Sequence, residues 1–313
     1  MPVDHDFIFF SLIILSVVII ALATLALHLL FPSGIKNPHE TRAGAAPKIK
    51  TNALSDVAET LLLPLYYRAL ESQRPDALLK DEQAVVILRR LDYDFSKFKI
   101  ASSEQAAAII RVRIFDHCAH EFLARHPDGI LVNIGCGLDT RFSRLDNGTL
   151  ECYDLDLPNV IELRRQLVPE SPRCHVLASS ALDVEWMDAL PKNRPVLLMA
   201  EGVFPYLEER EIKKLVLALN ERFAGSELLF DVLSPALVWM HNIELRFTGL
   251  QATLRWGLKR SRDIERWSPG IRLLDEWFYF DQPEARLRGL GLMRFIPVLN
   301  KSASIVHYRL GEI

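Results

Sequence analysis

The stretch ILVNIGCGLDT at residues 130–140 decides the fold, because it joins a buried-strand pattern to a turn that contains glycines. Glycines at 135 and 137 let the backbone turn sharply and approach a ligand closely, which a Cβ would hinder. The sequence YDLDLP follows at residues 153–158, and its Asp156 stands 21 positions after Gly135. An acid at this spacing can accept hydrogen bonds from ribose hydroxyls. The stretch therefore predicts a nucleotide-binding βαβ unit.

Position 140 indicates which nucleotide the unit binds. A dinucleotide fingerprint, G-x-G-x-x-G, has a third glycine there for close helix-to-strand packing beneath a pyrophosphate. This chain has Thr140 instead. The pattern favours an adenosyl ligand without phosphates, such as S-adenosylmethionine, and leaves an NAD-dependent oxidoreductase as the disfavoured alternative.

Short apolar runs alternate with helical patterns after residue 129. The strands that we predict cover residues 130–135, 150–156, 174–179, 195–202 and 227–234. Such alternation implies right-handed crossovers and a mostly parallel sheet covered on both faces. A last pair of strands, residues 292–299 and 304–310, predicts an antiparallel hairpin at one edge. The predicted class is α/β, with a Rossmann-like, seven-stranded, mostly parallel sheet that resembles the class I methyltransferases.

The rest of residues 53–313 is arranged around this sheet. Three helical patterns occupy residues 53–128, and the third begins at Ser102 or Ser103 as its N-cap. The core of the predicted domain is residues 129–234. Residues 235–290 are rich in Trp and Arg and too long for a connector, so we predict an inserted cap or substrate region there. Residues 291–313 carry the predicted terminal hairpin.

The N-terminus contains a long apolar segment. Residues 7–31 are 25 residues without Lys, Arg, Asp or Glu, longer than the roughly 20 that cross a bilayer. We predict a transmembrane anchor over residues 1–31 and a linker over residues 32–52. A cleaved signal peptide is the alternative, but the preceding MPVDHD is acidic rather than basic. Basic residues after the segment predict a single-pass membrane protein whose catalytic domain faces the cytoplasm.

Composition narrows the class of partner. The net charge of -3 and the 25% of charged residues argue against a nucleic-acid partner, so we expect a small-molecule acceptor. The four cysteines form no C-x-x-C pair and no metal-ligand spacing with histidine. They predict reduced thiols and no metal site.

Four segments in order and spacing resemble the leucine carboxyl methyltransferase family, in particular its tetracenomycin polyketide O-methyltransferase-like branch. They are VNIGCGLDTRFSRLDNG, YDLDLPNVIELRRQL, LMAEGVFPYL and SELLFDVLSP. The resemblance covers roughly residues 53–310 and leaves the apolar N-terminus outside it. It implies an enzyme that uses S-adenosylmethionine.

The resemblance also implies site residues. Gly135 and Gly137 would shape the loop around the methionine part of the cofactor, and Asp156 would bind the ribose. Arg111 would pair with the cofactor's carboxylate, as a bidentate guanidinium can, and Glu201 would lie at its amino-acid end. Ser180 lies near the adenine-side position, where the carboxyl methyltransferases proper have an acid, so it offers only a hydrogen bond.

Two of these assignments have alternatives within the sequence. Arg113 could be the helix arginine that binds the cofactor in place of Arg111, and Asp154 could be the strand acid in place of Asp156. We expect Asp139 and Arg141 to brace the loop from behind rather than to touch the ligand.

The leading hypothesis is an O-methyltransferase, anchored in a membrane, that acts on a polyketide-like or other carboxylate- or hydroxyl-bearing molecule. A carboxylate acceptor needs no general base, whereas a hydroxyl needs one within reach. His241 is the best candidate base, although a polar position on an amphipathic helix explains it equally. The alternatives are methylation of a protein's terminal carboxylate and a non-catalytic, membrane-tethered module that binds the cofactor.

Overall fold

The computed structural model describes residues 48–50, 57–98, 102–248 and 253–311. A seven-stranded sheet is its centre. The strands are β1 (Ile130–Ile134), β2 (Glu151–Asp156), β3 (Cys174–Ala178), β4 (Val196–Ala200), β5 (Glu227–Leu233), β6 (Arg272–Phe278) and β7 (Ala303–Arg309).

The sheet has the order β3-β2-β1-β4-β5-β7-β6. Strands β1 to β5 pair in parallel, whereas β7 is antiparallel to both β5 and β6. Strand β6 therefore runs in the same direction as the first five strands. The carboxyl ends of six strands lie along the same end of the sheet. This end, the ligand-binding edge, is where ligands bind in open α/β folds.

The central strands form because their sequences are apolar throughout. Every residue of ILVNI in β1 and of VLLMA in β4 is buried. A strand covered on both faces has no exposed side and therefore shows no polar alternation. Separate hydrophobic clusters cover the two faces of the sheet. The five strands predicted for the parallel part of the sheet are confirmed to within two residues at each end.

Helices cover the sheet, and the N-terminal helices form a further layer beside it. They are α1 (Val57–Ser72), α2 (Glu82–Arg90), α3 (Ser102–Arg125), α4 (Arg141–Leu145), α5 (Pro158–Leu167), α6 (Glu209–Arg222), α7 (Pro235–Thr248) and α8 (Pro297–Asn300). The first three form a further hydrophobic cluster beside the sheet. Pro64 lies inside α1, and α3 begins at the predicted Ser102.

The position predicted for the hairpin's first strand was wrong. Residues 292–299 contain the end of a 3₁₀ segment, Ala285–Phe295, and most of α8. Pro297 lacks the N–H that a sheet ladder requires, and Phe295 is 68% exposed. The strand that pairs with β7 is instead β6, which lies inside the predicted cap.

The predicted linker also contains regular structure. Ile49–Lys50 pairs in parallel with Leu91–Asp92, so residues at the end of the predicted 32–52 linker contact the end of α2. The remainder of that linker lies outside the described residues.

The predictions of a membrane anchor and of a cytoplasm-facing placement are contradicted. None of the helices in the described ranges has both the length and the apolar character required to cross a bilayer. The longest, α3, has 24 residues but carries six charged side chains, which hydrocarbon does not accommodate. The span predicted at residues 7–31 lies outside the described residues. The fold class is therefore restated as the α/β domain, and the membrane assignment is withdrawn.

An ion cluster around one buried carboxylate lies at the end of the sheet opposite the ligand-binding edge. Glu227, at the start of β5, is 2% exposed and lies 2.8 Å from Arg125 and 2.9 Å from His307. Burial alone would raise the pKa of Glu227, but the nearby His307 and the hydrogen bonds and charge of Arg125 lower it to about 2. A carboxylate with a lowered pKa stabilises the folded state above its unfolded pKa, and that contribution is lost as pH falls.

Replacing Glu227 with glutamine is expected to lower the free energy of unfolding by about 2–3 kcal/mol near pH 7, because the partly exposed Arg125 and the buried His307 lose the buried carboxylate that they share. The variant should also lose less stability than the parent when pH falls from about 5 to about 2. Urea denaturation at several pH values measures both effects. Glu121→Gln is the control, since Glu121 is an exposed partner of His117 and should change stability by less than about 0.5 kcal/mol. An unaltered pH dependence in the Glu227 variant would contradict this account.

Candidate active site

The loop after β1 adopts a conformation that requires glycine. Gly135 has φ +67° and Gly137 has φ +49°, in the left-handed region that other residues rarely occupy. A Cβ on Gly135 would lie 2.4 Å from Cγ2 of Val203, and a Cβ on Gly137 would lie 2.5 Å from Cδ1 of Leu61. Both glycines are therefore required by backbone conformation and by space.

Asp156 holds this loop at the carboxyl end of β2. Its Oδ2 accepts a hydrogen bond from the Gly137 N–H at 2.7 Å, and its Oδ1 accepts one from the Leu157 N–H at 2.7 Å. Burial raises the pKa of Asp156, while these two N–H groups oppose the rise. Each carboxylate oxygen has a second lone pair, so the group can accept further hydrogen bonds from a ligand beside Gly137.

Asp154 has a different environment from Asp156. It is 2% exposed, forms an ion pair with Arg164 and accepts a hydrogen bond from Asn133. Arg164 also donates to the carbonyl oxygens of Gly137 and Asp139, at 2.9 and 2.6 Å. Asp154 therefore braces the loop from the protein interior, and Asp156 is the strand acid at the loop's outer side.

The far side of the loop is fixed by buried arginines. Arg141 donates to Asp116 at 2.7 Å and to Asp139 at 2.6 Å, and Arg144 contacts the same two acids. Burial would raise the pKa of Asp139, but the charges of Arg141 and Arg144 lower it overall. The prediction that Asp139 and Arg141 brace the loop agrees with these contacts.

Thr140, at the position of the third glycine in the dinucleotide fingerprint, forms a hydrogen bond that a glycine could not form. Its hydroxyl donates to Oδ2 of Asp81 at 2.5 Å, and Oδ1 of Asp81 accepts the Ala84 N–H at the start of α2. Arg68 joins the same carboxylate at 2.9 Å. The residue that departs from the dinucleotide pattern thus ties the loop to the N-terminal helices.

A second cluster forms around Arg111 on α3. Its Nε donates to Glu201 at 3.0 Å and its Nη1 donates to Asp231 at 3.2 Å. Oδ1 of Asp231 accepts the Gly202 N–H at 2.6 Å, and Oε2 of Glu201 accepts from Arg141 at 2.5 Å. Arg141 therefore links this cluster to the glycine loop, and Arg111, Glu201, Gly135, Gly137 and Asp156 lie at one edge of the sheet.

Asp231 was missed by sequence reasoning. It lies in β5, is 3% exposed, and has a pKa that burial raises while the charge of Arg111 opposes the rise. The available signal was a single acid within the apolar strand ELLFDVL, since a buried charge needs a partner. Arg113, the alternative to Arg111, is exposed and lies on another face of α3.

Two further candidate residues lie apart from these clusters. Ser180 is in the turn after β3, where its hydroxyl accepts the Leu182 N–H at 3.1 Å. His241 is exposed on α7. The structure joins neither by a hydrogen bond to Asp156 or Arg111.

Most aromatic residues of the predicted cap are structural. Trp256 and Trp267 belong to or pack against the hydrophobic cluster on one face of the sheet, and Trp277 packs against the cluster on the other face. Trp239 is 58% exposed. Packing in the core therefore accounts for three of the cap's four tryptophans, and Trp239 is the tryptophan that stays exposed.

Two cysteines and an acid lie close enough to hold a metal ion: Cys152, Asp154 and Cys174 are within 4.8 Å of one another. Asp154 is already paired with Arg164. A hydrogen bond with Cys174 and burial raise the pKa of Cys152 well above its usual range, so this thiol stays protonated, whereas metals bind the thiolate. These features do not favour a metal centre at this position.

Comparison with known proteins adds to the geometry. Residues 62–219 match the family described as leucine carboxyl methyltransferase. The chain is 36% identical over 269 residues to the tetracenomycin polyketide synthesis O-methyltransferase of Streptomyces glaucescens, which covers 83% of this chain and 98% of that protein. It is 30% identical to an S-adenosyl-L-methionine-dependent methyltransferase of Gibberella zeae, over 72% of this chain and 83% of that protein.

One solved structure, from Thermobifida fusca, superposes with a TM-score of 0.52 at 17% identity, covering 80% of this chain and 95% of the other. At that identity the similarity concerns the fold alone.

Proposed function

The chain belongs to the leucine carboxyl methyltransferase family, and from this membership we propose that it methylates an oxygen atom of a polyketide-like small molecule. The predicted enzyme class and cofactor are confirmed: it is an S-adenosylmethionine-dependent methyltransferase. The polyketide-like acceptor is inferred from the Streptomyces glaucescens relative, which is matched along nearly its whole length.

The observation that carries the site assignment is the contact between Asp156 and the Gly137 N–H. It places an acid with free lone pairs next to a loop whose glycines leave no room for a Cβ. The cofactor's ribose diol fits this acid, since two hydroxyls can donate to one carboxylate. Gly135 and Gly137 would border the methionine part, and Ser180, beyond β3, would lie towards the adenine.

The amino-acid end of the cofactor fits the Arg111 cluster. Glu201 and Asp231 engage Nε and Nη1 of Arg111, which leaves Nη2 for a ligand carboxylate. Glu201 lies beside it as an acid for the ligand's ammonium group. Because the acids already orient the guanidinium, Arg111 is held in place to donate from Nη2 before the ligand arrives.

The sulfonium of the bound cofactor supplies an electrophilic methyl group, so the chain's residues must align the acceptor oxygen and exclude water. Tyr206, in the short 3₁₀ turn after β4, is 39% exposed, but desolvation by the surrounding protein still raises its pKa, so its phenol is protonated near neutral pH and unsuited to act as a base. His241 remains a candidate base for a hydroxyl acceptor. A carboxylate acceptor is already ionised near pH 7 and requires none.

Incubation of the full chain with methyl-labelled S-adenosylmethionine and aromatic polyketide acids and phenols tests the proposal. Label should enter a small molecule. Alkali then separates a labile ester from a stable ether, and thereby a carboxylate from a hydroxyl acceptor. Incubation with a cell extract is the parallel arm, because label that enters only a protein band would replace the proposal with methylation of a protein carboxylate.

Calorimetric titration with S-adenosylhomocysteine checks cofactor binding separately, and no binding would overturn the proposed site.

A further inference from the structure

A buried phenol near the Arg111 cluster has no acceptor for its hydrogen. Tyr279 follows β6 directly and begins the short 3₁₀ turn Tyr279–Asp281. The residue is 8% exposed, and its buried hydroxyl meets no described residue in hydrogen-bond geometry, although the Arg111 guanidinium is near enough to act on its pKa as a donor. A guanidinium only donates, so the hydroxyl hydrogen has no acceptor. A buried polar group without a partner costs free energy. Such a group therefore calls for a ligand that completes its bonding.

The fold places this phenol at the ligand-binding edge. Strand β6 runs in the same direction as β1 to β5, so its last residue and Tyr279 lie at the edge where the glycine loop and Glu201 also lie. The turn Tyr279–Asp281 packs against α3, the helix that carries Arg111. Tyr279 thus approaches the cluster from the side opposite the glycine loop.

The phenol is a donor rather than a base. Burial raises the pKa of Tyr279 well above its usual range, Asp231 raises it further, and Arg111 opposes the rise. The hydroxyl therefore keeps its hydrogen near neutral pH. A protonated phenol among these charges can donate one hydrogen bond to an anion.

The neighbouring acids do not supply that anion. Both carboxylate oxygens of Asp231 accept hydrogen bonds, from the Gly202 N–H and from Arg111. Both oxygens of Glu201 also accept hydrogen bonds, from Arg111 and Arg141. The structure has no hydrogen bond from the Tyr279 hydroxyl to either acid, so a ligand can supply the acceptor that this hydroxyl lacks, and the adjacent guanidinium favours an anionic one.

We propose that Tyr279 donates its phenolic hydrogen to the carboxylate of the cofactor's methionine part, beside Arg111. This assignment rests on the proposed function. It makes Tyr279 a cofactor-binding residue at the amino-acid end of the site, supplied by an edge strand that no sequence motif marks. The bond contributes to affinity for ligands that carry the carboxylate and contributes nothing for ligands that lack it.

The test compares two ligands on one variant of the full chain. Tyr279→Phe is expected to weaken binding of S-adenosylhomocysteine about 10- to 100-fold, as loss of a hydrogen bond to a charged group does. Binding of 5′-methylthioadenosine, which has the same adenosyl part without the amino-acid part, should change by less than about twofold. Because both ligands are titrated into the same preparation, a lower folded fraction would affect them equally and would not imitate this difference.

Two further variants act as controls. Tyr308→Phe removes a hydroxyl that donates to the Ser261 carbonyl at 2.7 Å within the core, and it should leave both affinities unchanged. Asp156→Ala removes the acid assigned to the ribose, so it should weaken both ligands alike.

The assignment of Tyr279 is overturned if its phenylalanine variant binds S-adenosylhomocysteine as the parent does, or if it weakens the two ligands equally. If the parent itself binds neither ligand, the proposed function fails, and the Tyr279 assignment fails with it. A parent that binds both ligands alongside an unaffected Tyr279 variant overturns the Tyr279 assignment alone.

Discussion

Substituting valine for Gly135 is expected to weaken binding of S-adenosylhomocysteine by about 100-fold or more. Gly135 has φ +67°, where a β-branched residue is a strong outlier. Its Cβ would lie 2.4 Å from Val203, and Cγ atoms would add to the overlap. Backbone strain of about 1–3 kcal/mol combined with the overlap would move the loop, and the Gly137 N–H would leave Asp156. A free-energy loss of about 3 kcal/mol corresponds to the stated factor.

Gly148→Val is the matched control for backbone strain. Gly148 also has a positive φ, +89°, but nothing lies within 4 Å of its added Cβ. It should lower thermal stability without changing cofactor affinity. Calorimetric titration combined with thermal unfolding separates the two effects. Equal loss of affinity in both variants would mean that strain alone, rather than the shape of the loop after β1, explains the result.

The parallel part of the sheet could be predicted because its buried strands are continuous apolar runs in the sequence. Strands such as ILVNI and VLLMA are covered on both faces, and continuous apolar runs between helices have few other interpretations. The glycine loop and Asp156 could be predicted for a similar reason, since they lie within one βαβ unit and their separation along the chain is short.

Strand β6 could not be predicted in the same way. Three of the seven residues in its sequence, RLLDEWF, are polar, and none of the seven is buried, as can occur in an edge strand with a single neighbour. The run LMRFIPVL looked more strand-like, yet it contains Pro297 and forms helical turns. Which segment becomes the edge strand depends on its tertiary pairing with β7. The local β-propensity of a segment does not predict that pairing.

The ion pairs around the site could not be predicted from the sequence either. Arg111 meets Asp231 across 120 positions, and Arg141 meets Glu201 across 60. Each residue looks like an ordinary charge in its own segment, and only the fold brings the partners together. The resemblance to a family could identify Arg111 and Glu201, but the residues that hold them, Asp231 and Arg141, follow from burial and contact.

Arg141→Met is expected to lower the free energy of unfolding by about 3–5 kcal/mol near pH 7, the range for breaking a buried ion pair by removing one partner. Arg141 is 3% exposed, and its hydrogen bonds reach Asp116, Asp139 and Glu201. Methionine keeps an unbranched apolar stem but removes the guanidinium, which lies over the Phe115 ring, and leaves three carboxylates with less compensation. Chemical denaturation measures the loss.

The effect of Arg141→Met should depend on pH with a definite sign. In the parent, arginines hold the pKa of Asp139 below its ordinary value, which stabilises the fold above that value and is lost on acidification. Without Arg141 less of this stabilisation exists, so parent and variant should converge below about pH 4. Arg113→Met, which removes an exposed charge from α3, should change stability by less than about 0.5 kcal/mol at either pH. A difference between parent and Arg141 variant that persists unchanged in acid would show that packing, rather than charge, makes Arg141 necessary to the loop.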